Sequence, residues 1–279
     1  MITDVTQVWR ARRASYRPAG EPFDPRAYEV APIAQDAIAR AFVVEHHYSG
    51  TYPAARRRFG LYQRGGALVG VVVFSVPVRA EVFAPMPREA WSACAELGRL
   101  VLLDTVQSNA ESWFVRRCLD ALTREGFAGV VSFSDPFRRH ALDGTVVHAG
   151  HIGGVYQALG ARYVGRARPG AMLLLPDGRS LSPRAVAKIR AGHRGREYAA
   201  AQLVAAGAPP LDGDPGTWVD TALEQVTRRV RHPGNLKYAW PFGRATAKAV
   251  GEGLPYVKLC DVGLCAGARM HRPTCARAA

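Results

Sequence analysis

Between Glu96 and Gly165 two largely apolar runs each stop at an acid, and each is followed by an amphipathic stretch that stops at a glycine. Leu97 to Leu103 reads as a buried strand ended by Asp104, and Gly129 to Ser134 as a second strand ended by Asp135. Ser108-Asn109-Ala110-Glu111 has the residue types of a capping box. Phe114, Val115, Cys118, Leu119 and Leu122 then follow at helical spacing, and Gly126 ends the helix. A shorter helix carries Ile152, Val155, Tyr156 and Leu159 on one face and ends at Gly160. Strand, anion-ready helix start, strand, helix: this order predicts an α/β fold with a small-molecule site at the strand ends.

The flanking regions fill in the organisation. The first 25 residues are basic, contain prolines and lack periodicity, and read as a flexible arm. Residues 26–180 read as the core. A strand is expected at Ala27–Val30 and a helix from Ile33 to Glu45, where Ile33, Ala37, Ile38, Ala41, Phe42 and Val44 recur at helical spacing. Strands at Phe59–Tyr62 and Leu68–Val76 are joined by the hairpin turn Arg64-Gly65-Gly66, and Ala171–Leu175 is expected to be the last strand. From Ser182 the character changes. Residues 181–245 read as a basic helical appendage packed on the core, with helices starting at Pro183, near Ala199 and at Thr221. Residues 246–279 are expected to be a tail, either disordered or holding a weak zinc site, since Cys260, Cys265, His271 and Cys275 give C-x4-C-x5-H-x3-C.

Charge is distributed unevenly. Residues 1–165 hold 19 basic and 15 acidic side chains, whereas residues 166–279 hold 18 and 8. Only four of the 37 cations are lysines, which is compositional bias, but that bias does not explain the shortage of acids after Gly165. The excess predicts a polyanionic partner, double-stranded DNA first. Arg184, Lys188, Arg190, Arg194, Arg196, Arg228, Arg229 and Arg231 are the residues expected to meet it. With no apolar stretch long enough to span a bilayer and no apolar signal segment, no membrane partner is expected and the location is expected to be cytoplasmic. The oligomeric state stays open, a dimer included.

Several segments in order carry a family resemblance: His47-Tyr48-Ser49, Glu96-Leu97-Gly98-Arg99-Leu100, Asn109-Ala110-Glu111-Ser112, Ser132-Phe133-Ser134-Asp135, Gly150 to Ala158, Tyr163-Val164-Gly165, His232-Pro233-Gly234-Asn235 and Tyr238. Over about residues 40 to 245 the chain resembles the Mom group of phage DNA-modification proteins, which are similar to GNAT N-acetyltransferases. The resemblance implies a GNAT-like mixed central sheet with flanking helices, in which an acyl-CoA thioester lies between two splayed strands. It also implies modification of adenine at N6 with a carbamoylmethyl (glycinamide-type) group, which protects phage DNA from restriction. Acetyl-CoA is the implied cofactor, held by Arg99, Leu100, Val101 and Leu102 along the strand and by Ser108, Asn109 and Ser112 at the helix start. The Gly-rich loop typical of that fold is replaced here by Thr105 to Ala110.

The same resemblance makes Tyr156 the expected proton donor. Asp104 and Asp135 sit at strand ends, where either could orient or deprotonate an amine. Arg99, inside an apolar strand, needs a partner; Glu96 has the wrong parity, so Asp104 or Asp135 is expected. His151 and Ser134 complete the site, and Tyr48, Tyr52 and Phe137 are placed to stack on a flipped base. His46, His47, Asp135, His140, His148 and His151 are candidate ligands for an additional metal such as iron. Two other readings stay open: an ordinary acetyltransferase of a protein, RNA or small amine, and a non-catalytic DNA-binding protein on the same scaffold.

Overall fold

A computed structural model describes residues 5–10, 13–18, 23–107 and 109–264. In the segment expected to be a featureless arm, β1 (Val5–Arg10) and β2 (Arg13–Pro18) pair as an antiparallel hairpin. The body begins with β3 (Tyr28–Pro32), α1 (Asp36–His46), β4 (Ala55–Gln63), β5 (Leu68–Ser75) and β6 (Cys94–Leu102). Each of these four strands is antiparallel to the next. α2 (Ala110–Arg124) then crosses over to β7 (Gly129–Ser134), which pairs parallel with β6. A two-stranded hairpin, β8 (Arg139–His140) and β9 (Val146–His148), precedes α3 (Gly154–Ala158) and β10 (Arg162–Arg166).

Next come β11 (Gly170–Leu174), β12 (Ser180–Leu181), α4 (Pro183–Arg190), α5 (Arg196–Ala205), α6 (Pro215–Val226) and β13 (Arg228–His232). The described chain closes with β14 (Leu236–Pro241), α7 (Arg244–Val250) and a turn to residue 264. The central sheet has seven strands in the order β10-β14-β7-β6-β5-β4-β3. This is a mixed α/β fold of the kind the sequence predicts.

Hydrophobic periodicity explains the layers. β5 is buried along almost its whole length, so both of its faces need cover. On one face Val72 and Phe74 meet Phe114, Val115, Cys118, Leu119 and Leu122 of α2. On the other, Val71 and Val73 meet Ala39 and Val43 of α1. α4, α5 and α6 enclose a separate apolar cluster that includes Ile189, Leu203 and Trp218.

Several elements differ from expectation. Residues 236–241, read as part of the appendage, form β14 and enter the sheet between β7 and β10. Tyr238 and Trp240 bury there, a short signal that the neighbouring charge run hides in the sequence. β11 is not a central strand; it pairs with β12 and β13 in a small separate sheet. α6 starts at Pro215 because Asp214 caps it, accepting from the Thr217 N–H at 2.8 Å, and it stops before the arginines, which become β13. The capping box before α2 does not form: Asn109 occupies the cap in a left-handed conformation (φ 71°) and makes no side-chain cap bond. Residues 246–264 lie on the core, where Tyr256 donates to Ala161 O at 2.9 Å and Leu264 is buried. Cys265, His271 and Cys275 lie outside the described residues, and with them the proposed zinc motif. Among the described residues no helix is long and apolar enough to cross a membrane.

Candidate active site

The site forms where β6 and β7 part. Their parallel pairing runs from Cys94↔Gly129 to Leu97↔Ser132, after which β6 continues to Leu102 and β7 to Ser134 without pairing each other. A bulge shapes the opening. Opposite β5, Leu97 faces Phe74 while Arg99 faces Val73, so Gly98 is the extra residue. Leu97 therefore points into the α2 core, and Glu96 and Arg99 share the α1 side of the sheet. This overturns the parity argument that separated those two residues. Only glycine fits at 98, since a Cβ there would lie 2.5 Å from Ser75 Oγ.

Tyr156 reaches the opening from the α2 side. Its helix follows Gly153 (φ 76°), where a Cβ would come within 2.8 Å of the Tyr156 ring. The ring is buried edge-on against Tyr238 and Trp240, at centroid distances of 5.6 and 5.4 Å. Its hydroxyl hydrogen-bonds the Ser132 side chain, which itself donates to Leu97 O at 3.0 Å. Burial pushes the Tyr156 pKa up to about 12, and the charges of Tyr48 and Glu96 are close enough to act on it. Glu96 is raised by burial, with Arg99 and Lys237 pulling the other way. Burial also lowers Arg99, against Tyr48 and Glu96. Arg99 donates to Thr51 O at 2.9 Å and to Thr51 Oγ1 at 2.7 Å, so its hydrogen-bond partner is Thr51 and not Asp104 or Asp135.

Asp135 is fully engaged. Its Oδ1 accepts from His232 Nε2 at 3.0 Å and from the Phe137 N–H at 2.9 Å, and Arg139 lies 3.1 Å from Oδ2. Burial alone would raise its pKa, but His232 and Arg139 outweigh it and hold the carboxyl well below the usual range. The Gly234 N–H donates to His232 Nδ1 at 3.0 Å, which leaves the proton on Nε2, facing Asp135. Asp135 is thus held as the charged partner of His232 and Arg139, which favours the orienting role over proton transfer. It also receives the His151 N–H on its backbone oxygen at 2.8 Å.

Around it lie three histidines that burial keeps neutral: His47 well below its ordinary value, His148 at about 3 and His151 at about 4. Tyr48 packs between His47 and His148, with ring centroids at 4.3 and 5.1 Å. Ser134 is buried beside Tyr238.

The fold thus gathers Tyr48, Arg99, Ser134, Asp135, His151 and Tyr156. Asp104 does not join them: it sits past the far end of β6, next to Leu103, whose N–H bonds Val69 O, on the order of 20 Å along the strand from Leu97. Tyr52 is engaged elsewhere, donating to Asp36 at 2.8 Å beneath Arg40. Phe137 packs against His232 at 5.4 Å. Among the described residues no group of three or more His, Cys, Asp or Glu side chains is arranged to hold a metal ion, and His46 packs instead on Phe42 at 4.6 Å.

Of the strand positions, Val101 is buried towards α1, while Leu100 and Leu102 pack on the α2 core. Ser112 bonds Asn109 O at 3.1 Å, and Ser108 lies outside the described residues. In the appendage, Arg184, Lys188 and Arg194 are exposed, as are Arg229 and Arg231 on β13. Arg190 pairs with Asp220, Arg196 with Glu197, and Arg228 donates to His140 O at 2.5 Å. Sequence reasoning missed Glu96, Thr51 and His232. An acid two residues before a glycine inside an apolar strand was the available signal for Glu96; nothing local marked the other two.

A sequence profile described as the Mom protein family matches residues 27–214. No curated protein matches the sequence. Three solved structures are similar at low identity. One is the Escherichia coli GNAT family N-acetyltransferase YhbS in complex with CoA, with 18% identity, 42% of this chain and 68% of that chain covered, and a TM-score of 0.31. A second is the ribosomal-protein-S18-alanine N-acetyltransferase from Escherichia coli, at 13%, covering 55% and 88%, with a TM-score of 0.32. The third is a tandem GNAT protein from the clavulanic acid biosynthesis pathway, at 10%, covering 78% and 99%, with a TM-score of 0.39.

Proposed function

The chain belongs to the Mom protein family, and from that premise we propose that it is a transferase that modifies the exocyclic N6 amine of adenine in double-stranded DNA. The observation that carries this reading is that Glu96 and Tyr156, on opposite faces of the sheet, lie close enough at the parting of β6 and β7 for the Glu96 charge to act on the Tyr156 hydroxyl. Acyl-CoA, when bound, supplies an acyl carbon activated as a thioester. The residues fit such a group, because the stretch of β6 from Gly98 to Leu102 leaves its β7-facing backbone edge unpaired by β7, and that edge can pair with a linear arm.

The remaining work falls to side chains. The N6 lone pair of adenine is delocalised into the ring, so the amine needs a base as it reacts. Glu96 is that base, since burial raises its affinity for a proton. Tyr156 holds its proton at neutral pH and delivers it to the departing atom, with Ser132 fixing the direction of the hydroxyl. Arg99, anchored by Thr51, steadies the charge on Glu96. Asp135 sets the positions of His151, Arg139 and His232 without exchanging a proton itself.

Transfer of an acyl group alone leaves an amide. A carbamoylmethyl product, of the type that protects phage DNA from restriction, requires a further step by a second enzyme or a metal such as iron. The appendage arginines supply long-range attraction for the duplex.

Nucleoside mass spectrometry of DNA from cells expressing the chain tests the reading. A new deoxyadenosine-derived species is expected with the native chain and its loss with Tyr156→Phe. Unaltered DNA in the presence of folded native protein refutes it; salt-dependent DNA binding would then mark a non-catalytic binder, and acetylation of a simple amine an ordinary acetyltransferase.

A further inference from the structure

An open cavity of about 1020 Å³ lies on the opposite face of the sheet from α2 and α3. It runs between the turn at residues 79–85, the strands β7, β14 and β10, and the segment 250–254. Four cations line it, Arg79, Arg166, Arg168 and Lys237, against the single carboxylate of Glu81. The three arginines are exposed, and none of the four forms an ion pair among the described residues. In the appendage, Arg190 and Arg196 have acidic partners.

The floor is of another character. Phe133 of β7 faces the cavity, and the Lys237 ammonium sits over its ring at 5.8 Å. Phe133 follows Ser132, the last residue of β7 paired to β6, and Lys237 and Glu96 act on each other electrostatically. Glu96 pairs with Val131, two residues before Phe133, so Glu96 and the groove floor share one face of the sheet. The cavity's volume stands at the top of the range for small-molecule sites, roughly 300 to 1,000 Å³. That is more room than a small amine requires.

Resting on the transferase reading above, we infer that this groove receives the nucleotide extruded from the duplex together with its flanking phosphates. The rim arginines meet the phosphates. Phe133 offers a face to the base, as aromatic side chains do in single-strand binding sites. The groove takes the unpaired nucleotide while the appendage attracts paired DNA.

Fluorescence anisotropy with two labelled duplexes, identical except that one carries an unpaired adenine, tests this. The native chain is expected to bind the unpaired form at least tenfold more tightly. Arg166→Ala combined with Arg168→Ala should bring that ratio to within about twofold of unity, whereas Arg184→Ala combined with Lys188→Ala should weaken both duplexes and leave the ratio intact. Both pairs are exposed, and an unchanged melting temperature confirms that each variant is folded. A native chain that binds both duplexes equally, or a ratio that survives the groove substitutions, overturns the assignment while leaving DNA as the substrate. A native chain that binds neither duplex removes the DNA reading itself, and the groove assignment with it.

Discussion

Lowering the pH from about 7.5 to about 5 should destabilise this protein steeply, because the fold keeps three histidines neutral. His148 is held at about 3 and His151 at about 4, burial being the largest cause for both, with Arg139 adding to it. In the unfolded chain a histidine titrates at about 6.5. Between those values the unfolded chain takes up protons that the folded one refuses, so stability falls as pH falls. At a pH of about 5 the difference is about 1.5 units per group, or about 2 kcal/mol each at 1.36 kcal/mol per unit, giving about 4 kcal/mol for the pair. His47 is shifted the same way and adds to the loss.

Two carboxylates border the window. Asp135 is ionised in both states throughout it, so the stability it contributes is lost only as the pH drops below about 4. Glu96, raised in the fold, takes up its proton first in the folded state and offsets part of the loss near the bottom. Against a total stability of about 5–15 kcal/mol the net effect is large. Urea denaturation followed by tryptophan fluorescence across this pH range measures it directly. A midpoint that stays constant down to a pH of about 5, or imidazole resonances of His148 and His151 that titrate near 6.5, would refute the reasoning.

The remaining predictions concern single side chains. Glu96→Gln should lower turnover by about 10²–10⁴-fold and remove the acidic limb of the pH–rate profile, with DNA affinity unchanged; a retained limb would move the base elsewhere. Asp135→Asn leaves Arg139, only 9% exposed, without its counter-charge and should cost about 3–5 kcal/mol, read as a fall in melting temperature. A variant with native stability and no activity would instead return Asp135 to a chemical role. Gly98→Ala should cost about 1–3 kcal/mol through the clash with Ser75 Oγ, and Ser75→Ala should recover part of it; native stability in the single variant would contradict the bulge geometry.

Much of the scaffold was legible in the sequence. α2 carries Phe114, Val115, Cys118, Leu119 and Leu122 on its buried face, as their spacing indicates. Tyr156 faces the site from a helix start that Gly153 makes possible. The failures share a cause. The partner of Arg99 was sought by counting parity along one strand, and a single extra residue at Gly98 reverses that count. β14 was assigned to the appendage because its neighbours are arginines, although its own Leu236, Tyr238 and Trp240 are buried in the sheet.

The sequence by itself determined the main core elements, α2, β5, β6 and β7 among them, because hydrophobic period and glycines act over a few residues and are written into the chain locally. It also determined the basic excess after Gly165, since charge is a sum over residues whatever their placement. Only the tertiary structure decided which charges meet. His232 reaches Asp135 across 97 positions, the strand that inserts between β7 and β10 arrives after the whole appendage, and Phe133 and Lys237 become one groove floor through strand pairing. Whether a carboxylate becomes a base or a spent ion-pair partner depends on burial and on neighbours distant in the chain. The surroundings of Glu96 and Asp135 are assembled by residues distant in the chain.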